Sequence, residues 1–142
     1  MDVPLHPSTV HFPIAFLFAA LGFYLVSIFR EDSFYARGGF SLHILGVGGL
    51  AVAILSGRQA ESALASSDVL TEMVDRHELM GYLCMWLMAM LLVWQFLRKD
   101  KRIVWEKSLF LVLFAASLVI MSLGAHIGGE MVYLHGAGVQ AP

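Results

Sequence analysis

Four long apolar runs fix what this chain can become. A helix that crosses a bilayer needs roughly 20 apolar residues. The runs from Thr9 to Phe29, His77 to Phe96 and Ser108 to Ile127 have that length, and a shorter one extends from Phe40 to Ser56. A soluble bundle would need a polar stripe on every helix. Leu109 to Ile120 offers only Ser117, and Phe12 to Val26 nothing more polar than Tyr24. Composition agrees: 58% of residues are hydrophobic and 14% charged, against about 25% charged in a soluble domain. The fold class is all-α, an integral membrane four-helix bundle formed by residues 1–142 as a single domain.

Local signals set the boundaries. No basic residue precedes the first apolar run, as a cleavable signal peptide requires, so that run is expected to stay as a helix, capped by Ser8 or Thr9 with Pro13 in its first turn. Ser33 to Gly39 reads as a short loop containing Gly38-Gly39. Gly46, Gly48 and Gly49 in the second helix read as positions of close packing. Gly57 to Arg76 is polar with two helical halves, capped among Ser66, Ser67 and Asp68, so helices two and three are expected to project beyond the bilayer as a hairpin. The fourth helix is expected to end at Gly128-Gly129. Cys84 is the one cysteine and falls in an apolar run, which makes it a buried structural thiol. The methionines Met85, Met88 and Met90 are packing residues.

Lysine and arginine set the orientation. Arg30 and Arg37 lie between helices one and two, and Arg98, Lys99, Lys101, Arg102 and Lys107 between three and four; Arg58 and Arg76 are the basic residues of the other side. The positive-inside rule then predicts both termini and the middle hairpin on the periplasmic side, with Trp94 and Trp105 at the cytoplasmic interface. A net charge of −2 gives no sign of a nucleic-acid partner.

With that topology five of the six histidines gather at the outer side: His6 and His11 before or at the start of helix one, His77 opening helix three, His126 closing helix four, and His135 after it. His43 stands apart near the cytoplasmic end and reads as a structural residue. His11 is 18 residues above Phe29, His77 19 above Phe96 and His126 18 above Ser108. At about 1.5 Å per residue those depths agree within a turn. Ionisable side chains in a membrane segment are by default functional candidates. Two imidazoles from different helices can clasp the iron of haem b. His11 with His77 is the expected axial pair and His126 the substitute, with Gly81 leaving room for a porphyrin edge and Arg58 and Arg76 for the propionates.

The alternatives come from other classes. His126 and Glu130, spaced i,i+4, could join His11 or His77 around zinc, copper or iron, with His6 and His135 as further candidates. Outer-face histidines also serve as interfacial anchors in a cofactor-free accessory subunit. Ser8 and Ser122 lie near histidines in sequence, but no orienting Asp accompanies them, so nucleophilic catalysis has little support. The leading expectation is a non-catalytic haem-b subunit that passes electrons between the quinone pool, or a membrane partner, and a periplasmic carrier.

Two end motifs carry a family resemblance. His6-Pro7-Ser8-Thr9-Val10-His11-Phe12-Pro13-Ile14-Ala15 and the stretch from Gly124-Ala125-His126-Ile127-Gly128-Gly129-Glu130 to Val139, with His77 at the outer start of helix three, resemble the bacterial membrane-protein family called domain of unknown function 2231. The resemblance implies a four-helix protein of the bacterial inner membrane and brings no settled activity.

Overall fold

Proline decides how the chain enters its first span. Pro13 has no N–H to give to the carbonyl of Thr9, and the helical ladder breaks there. A short helix α1 (Leu5–Thr9) is followed across Val10 by α2 (His11–Phe29). Val10 occupies the cap position with helical dihedrals and no side-chain capping bond. Thr9, expected as a cap, turns its hydroxyl back to the carbonyl of His6 at 3.1 Å.

The computed structural model describes residues 5–30, 32–61, 68–98 and 104–138. The expected caps Ser66 and Ser67, the basic residues Lys99, Lys101 and Arg102, and Val139 of the end motif lie outside the described residues. Three further helices follow: α3 (Ser33–Glu61), α4 (Asp68–Arg98) and α5 (Val104–Tyr133). Four helical segments are long and apolar enough to cross a membrane, yet only 22% to 33% of each spanning window is buried inside the protein. Trp86, Leu97, Val104 and Val112 are among the large apolar side chains left exposed. An apolar surface this extensive is suited to lipid.

The helices outrun the apolar stretches. α3 and α4 have 29 and 31 residues, about 45 Å each, so they exceed a hydrocarbon core of about 30 Å as the sequence led us to expect. Two expected breaks are helical. Ser33 to Gly39 forms the first turns of α3, and α5 continues through Gly128-Gly129 to Tyr133. The glycines explain the first: a Cβ on Gly38 would stand 2.5 Å from Phe23 Cε1, and one on Gly39 2.7 Å from Tyr24 Cδ1. They let α2 and α3 approach closely. The chain leaves α5 at Gly136, whose positive φ of 66° accompanies the bond from Ala137 N–H to the carbonyl of Met131 at 2.9 Å.

α2 and α4 each pack against both α3 and α5, which places α2 and α4 on one diagonal of the bundle and α3 and α5 on the other. Leu17, Met88, Phe110 and Phe114 fill the centre together with His43 and Cys84. At one end of the second hairpin the Arg98 guanidinium holds the buried Glu106 carboxylate.

Gly46 packs directly on the Leu17 side chain, whereas a Cβ on Gly48 would meet nothing within 4 Å. Gly46→Val should therefore lower stability by about 1–3 kcal/mol through overpacking, and Gly48→Val should leave it near the parent value. Unfolding of the two variants in detergent, followed by circular dichroism, checks the contrast.

Candidate functional site

One end of the bundle carries two imidazoles, each anchored by its own helix pair. α1 lies against α3, and His6 Nδ1 reaches the carbonyl of Ala53 at 2.9 Å. Ser56 Oγ stands 3.2 Å from the same nitrogen but donates its proton to Ala53 O at 3.0 Å. On the other hairpin His77 Nδ1 reaches the carbonyl of Gly124 at 2.9 Å. A glycine underlies each ring: a Cβ on Gly57 would lie 3.1 Å from His6 Cε1, and one on Gly128 3.1 Å from His77 Cε1.

These bonds define the chemistry of both rings. A carbonyl can only accept, so each Nδ1 carries the proton, and a neutral imidazole then keeps a lone pair on Nε2. The ring centres are 6.1 Å apart, with planes at 87°. Two lone pairs on neighbouring rings can accept a hydrogen bond or an electrophile, and donation of the other N–H to a backbone carbonyl is the usual support of a metal-binding histidine. A metal–imidazole bond is about 2 Å, so rings that share one ion from opposite sides have centres roughly 6 Å apart.

The other sequence candidates are placed differently. The ring beside His77 is that of His6, not His11; His11 is exposed and donates locally, its Nδ1 lying 2.9 Å from Pro7 O. His126 is exposed, with Nε2 3.5 Å from Glu130 Oε1, a pairing that the unbroken α5 makes possible. No group of three His, Cys, Asp or Glu suited to a metal ion exists among the described residues, so His126 and Glu130 do not gather with His11 or His77. His135 lies in the exposed turn after α5. Arg58 is exposed, and Arg76 pairs on the surface with Glu72 at 2.6 Å. A Cβ on Gly81 would meet nothing within 4 Å, so that face of α4 is open.

His6 is expected from the sequence only as a further metal candidate or an interfacial anchor. The overlooked signal was the helical turn before Pro13, which folds His6 over α3. The sequence also sets His43 apart, and the structure buries that ring completely. His43 Nε2 lies 3.1 Å from Met88 O, and its Nδ1 3.5 Å from the Tyr24 hydroxyl, which donates to Gln95 Oε1 at 2.6 Å. The absence of a second histidine at that depth hid a polar network built with other residue types. Elsewhere, an open cleft of about 400 Å³ between α2 and α5 is lined by Phe18, Leu21, Ala115, Leu118, Val119, Ser122 and Leu123. It holds no titratable group.

No curated protein and no solved structure matches the chain. The sequence model of a family described as predicted membrane protein DUF2231 matches residues 2–141, and the chain, with its four membrane-length helices, belongs to that family.

Proposed function

We propose that the outer imidazole layer binds haem b between His6 and His77, and that the protein carries electrons between the quinone pool, or a membrane partner, and a periplasmic carrier. The observation that carries this reading is the pair of Nδ1–H···O=C bonds, which hold both rings in the tautomer that presents Nε2 to a metal. Haem fits a two-donor site because the porphyrin supplies the remaining four nitrogen ligands. Bound iron would supply one-electron chemistry at the outer edge of the bilayer. The chain's own residues do the holding. Ala53 and Gly124 fix the tautomers, Gly57 and Gly128 set ring position, and Arg58 and Arg76 stand in sequence beside Gly57 and His77 as partners for propionates.

A dithionite-reduced optical spectrum of the purified protein should show sharp alpha and Soret bands. His6→Ala and His77→Ala should lose them, and His11→Ala and His135→Ala should keep them. Bands lost in His11→Ala but kept in His6→Ala would replace His6 by His11 as the partner of His77. Stoichiometric copper, zinc or iron without porphyrin bands would mean a bare ion, and full recovery with neither would leave a cofactor-free subunit.

The distribution of lysine and arginine supports an orientation in the bacterial inner membrane with both termini in the periplasm. In a Cys84→Ala background, a membrane-impermeant thiol reagent applied from the periplasm should label Asp2→Cys. It should label Asp32→Cys only after the membrane is opened. The reverse pattern would place the imidazole layer on the cytoplasmic side.

A further inference from the structure

The buried positions of the first hairpin recur in the second at one constant interval. α2 buries Pro13, Leu17, Ala20 and Tyr24, and α4 buries Cys84, Met88, Leu91 and Gln95, each 71 residues further on. α3 buries Gly39, His43, Gly46, Leu50 and Ala53; α5 repeats the set 71 residues later at Phe110, Phe114, Ser117, Met121 and Gly124, and adds Glu106, Leu118 and Met131. Every buried position of the first hairpin thus has a buried counterpart.

The site obeys the same interval. His6 to Ala53 and His77 to Gly124 are bonds of one length, 2.9 Å, across one separation of 47 residues. Gly57 and Gly128 underlie the two rings at the same 3.1 Å. Counterparts also meet one another: His6 with His77 at 6.1 Å between ring centres, His43 with Phe114 at 4.9 Å, and Tyr24 with Gln95 at 2.6 Å. Residues that touch their own counterpart lie at a two-fold axis, as in an isologous contact. The helix neighbours agree, since the diagonal pairs α2 with α4 and α3 with α5 are the pairs that such an axis exchanges.

Sequence identity between the halves is low. At this offset the identical pairs are Val3 and Val74, His6 and His77, Leu21 and Leu92, Leu42 and Leu113, and Gly57 and Gly128. Two of these five pairs are the imidazole and the glycine beneath it. The imidazole and its glycine are identical in both halves, whereas Ser56, beside His6, has Ile127 as its counterpart.

We infer that the chain is two copies of one helical-hairpin unit, related by a two-fold axis along the bundle, and that its outer site is a composite of two matching half-sites, each an imidazole, a carbonyl and a glycine, with Ser56 an addition to the first. Its ligand lies on the axis and takes two equivalent neutral nitrogen donors, as a single metal centre does. The class of ligand rests on the function proposed above, whereas the duplication stands on the geometry alone. Gly57 and Gly128 are equivalent positioning residues for the rings.

Two measurements on the full chain test this. Gly57→Val and Gly128→Val, made singly, should lower the melting temperature in detergent by equal amounts and, where the parent shows haem bands, shift them equally. One variant melting like the parent while the other falls would overturn the equivalence. Equal melting shifts in a parent without haem or metal would support the duplication and reject the ligand. The second measurement reverses the order of the hairpins in a circular permutant, residues 67–142 followed by 1–66. An axis makes the new connection span the same gap as the old one, and the residues after Tyr133 together with those before Leu5 outnumber the six between Glu61 and Asp68. The permutant should accumulate in the membrane and melt close to the parent. Loss of the folded bundle in the permutant, with unequal glycine effects, would refute the two-copy reading.

Discussion

Lipid offers no hydrogen bonds, so every polar group that these helices bury has to find its partner within the protein. Most side chains meet this requirement without leaving their own helix. Ser117 and Ser122 donate to the carbonyls one turn back, Leu113 and Leu118, and Ser27 donates to that of Tyr24. The imidazoles do something else. His6, His43 and His77 each reach a backbone carbonyl of a neighbouring helix, at Ala53, Met88 and Gly124. A carbonyl has a second lone pair to offer while it stays in its helical bond, so these contacts tie helices together without opening a turn.

Close approach in the first hairpin makes such reach possible. Gly39, Gly46 and Gly49 set backbone against Tyr24, Leu17 and Pro13, where larger residues would hold α2 and α3 apart. At the counterpart positions the second hairpin has Phe110, Ser117 and Ile120. At these positions the halves fill one interior in complementary ways, the first contributing gaps and the second contributing side chains. Phe110 and Phe114 both meet Tyr24 edge to face, with centres 5.3 and 5.5 Å from its ring.

This packing also explains what could be read in the sequence. The four spans and their extension beyond the bilayer follow from hydropathy and spacing, because lipid burial leaves no competing reading for runs such as Leu109 to Ile120. Glycine misled. Gly38-Gly39 and Gly128-Gly129 would mark turns in water, but in a membrane helix the ladder continues, since a break there has no solvent to satisfy it, and Gly38, Gly39 and Gly128 serve packing. With α5 unbroken, His126 and Glu130 share one continuous face, as their i,i+4 spacing allows. The ring beside His77 is that of His6 rather than His11 for another reason. Apolar-run boundaries say where lipid begins, and a polar helical turn such as Leu5–Thr9 can continue the bundle past that point.

The two-fold relation is strongest at the imidazole layer and weakest deeper in the bundle. His43 stands where its counterpart is Phe114, and Tyr24 where its counterpart is Gln95. That asymmetry has a structural consequence. A strictly symmetric interior would let either hairpin take either place, or slide by a turn, at little cost. With His43 on α3 bonded to α4 through Met88, and Tyr24 on α2 bonded to α4 through Gln95, only one register satisfies both contacts. A slip of one turn would strand a phenol, an amide and an imidazole in an apolar core, each costing roughly 1–3 kcal/mol when left unsatisfied. Buried polar groups of this kind act by excluding alternatives. The inner network thus fixes how the hairpins align, and the alignment is what brings His6 and His77 to one level at the opposite end.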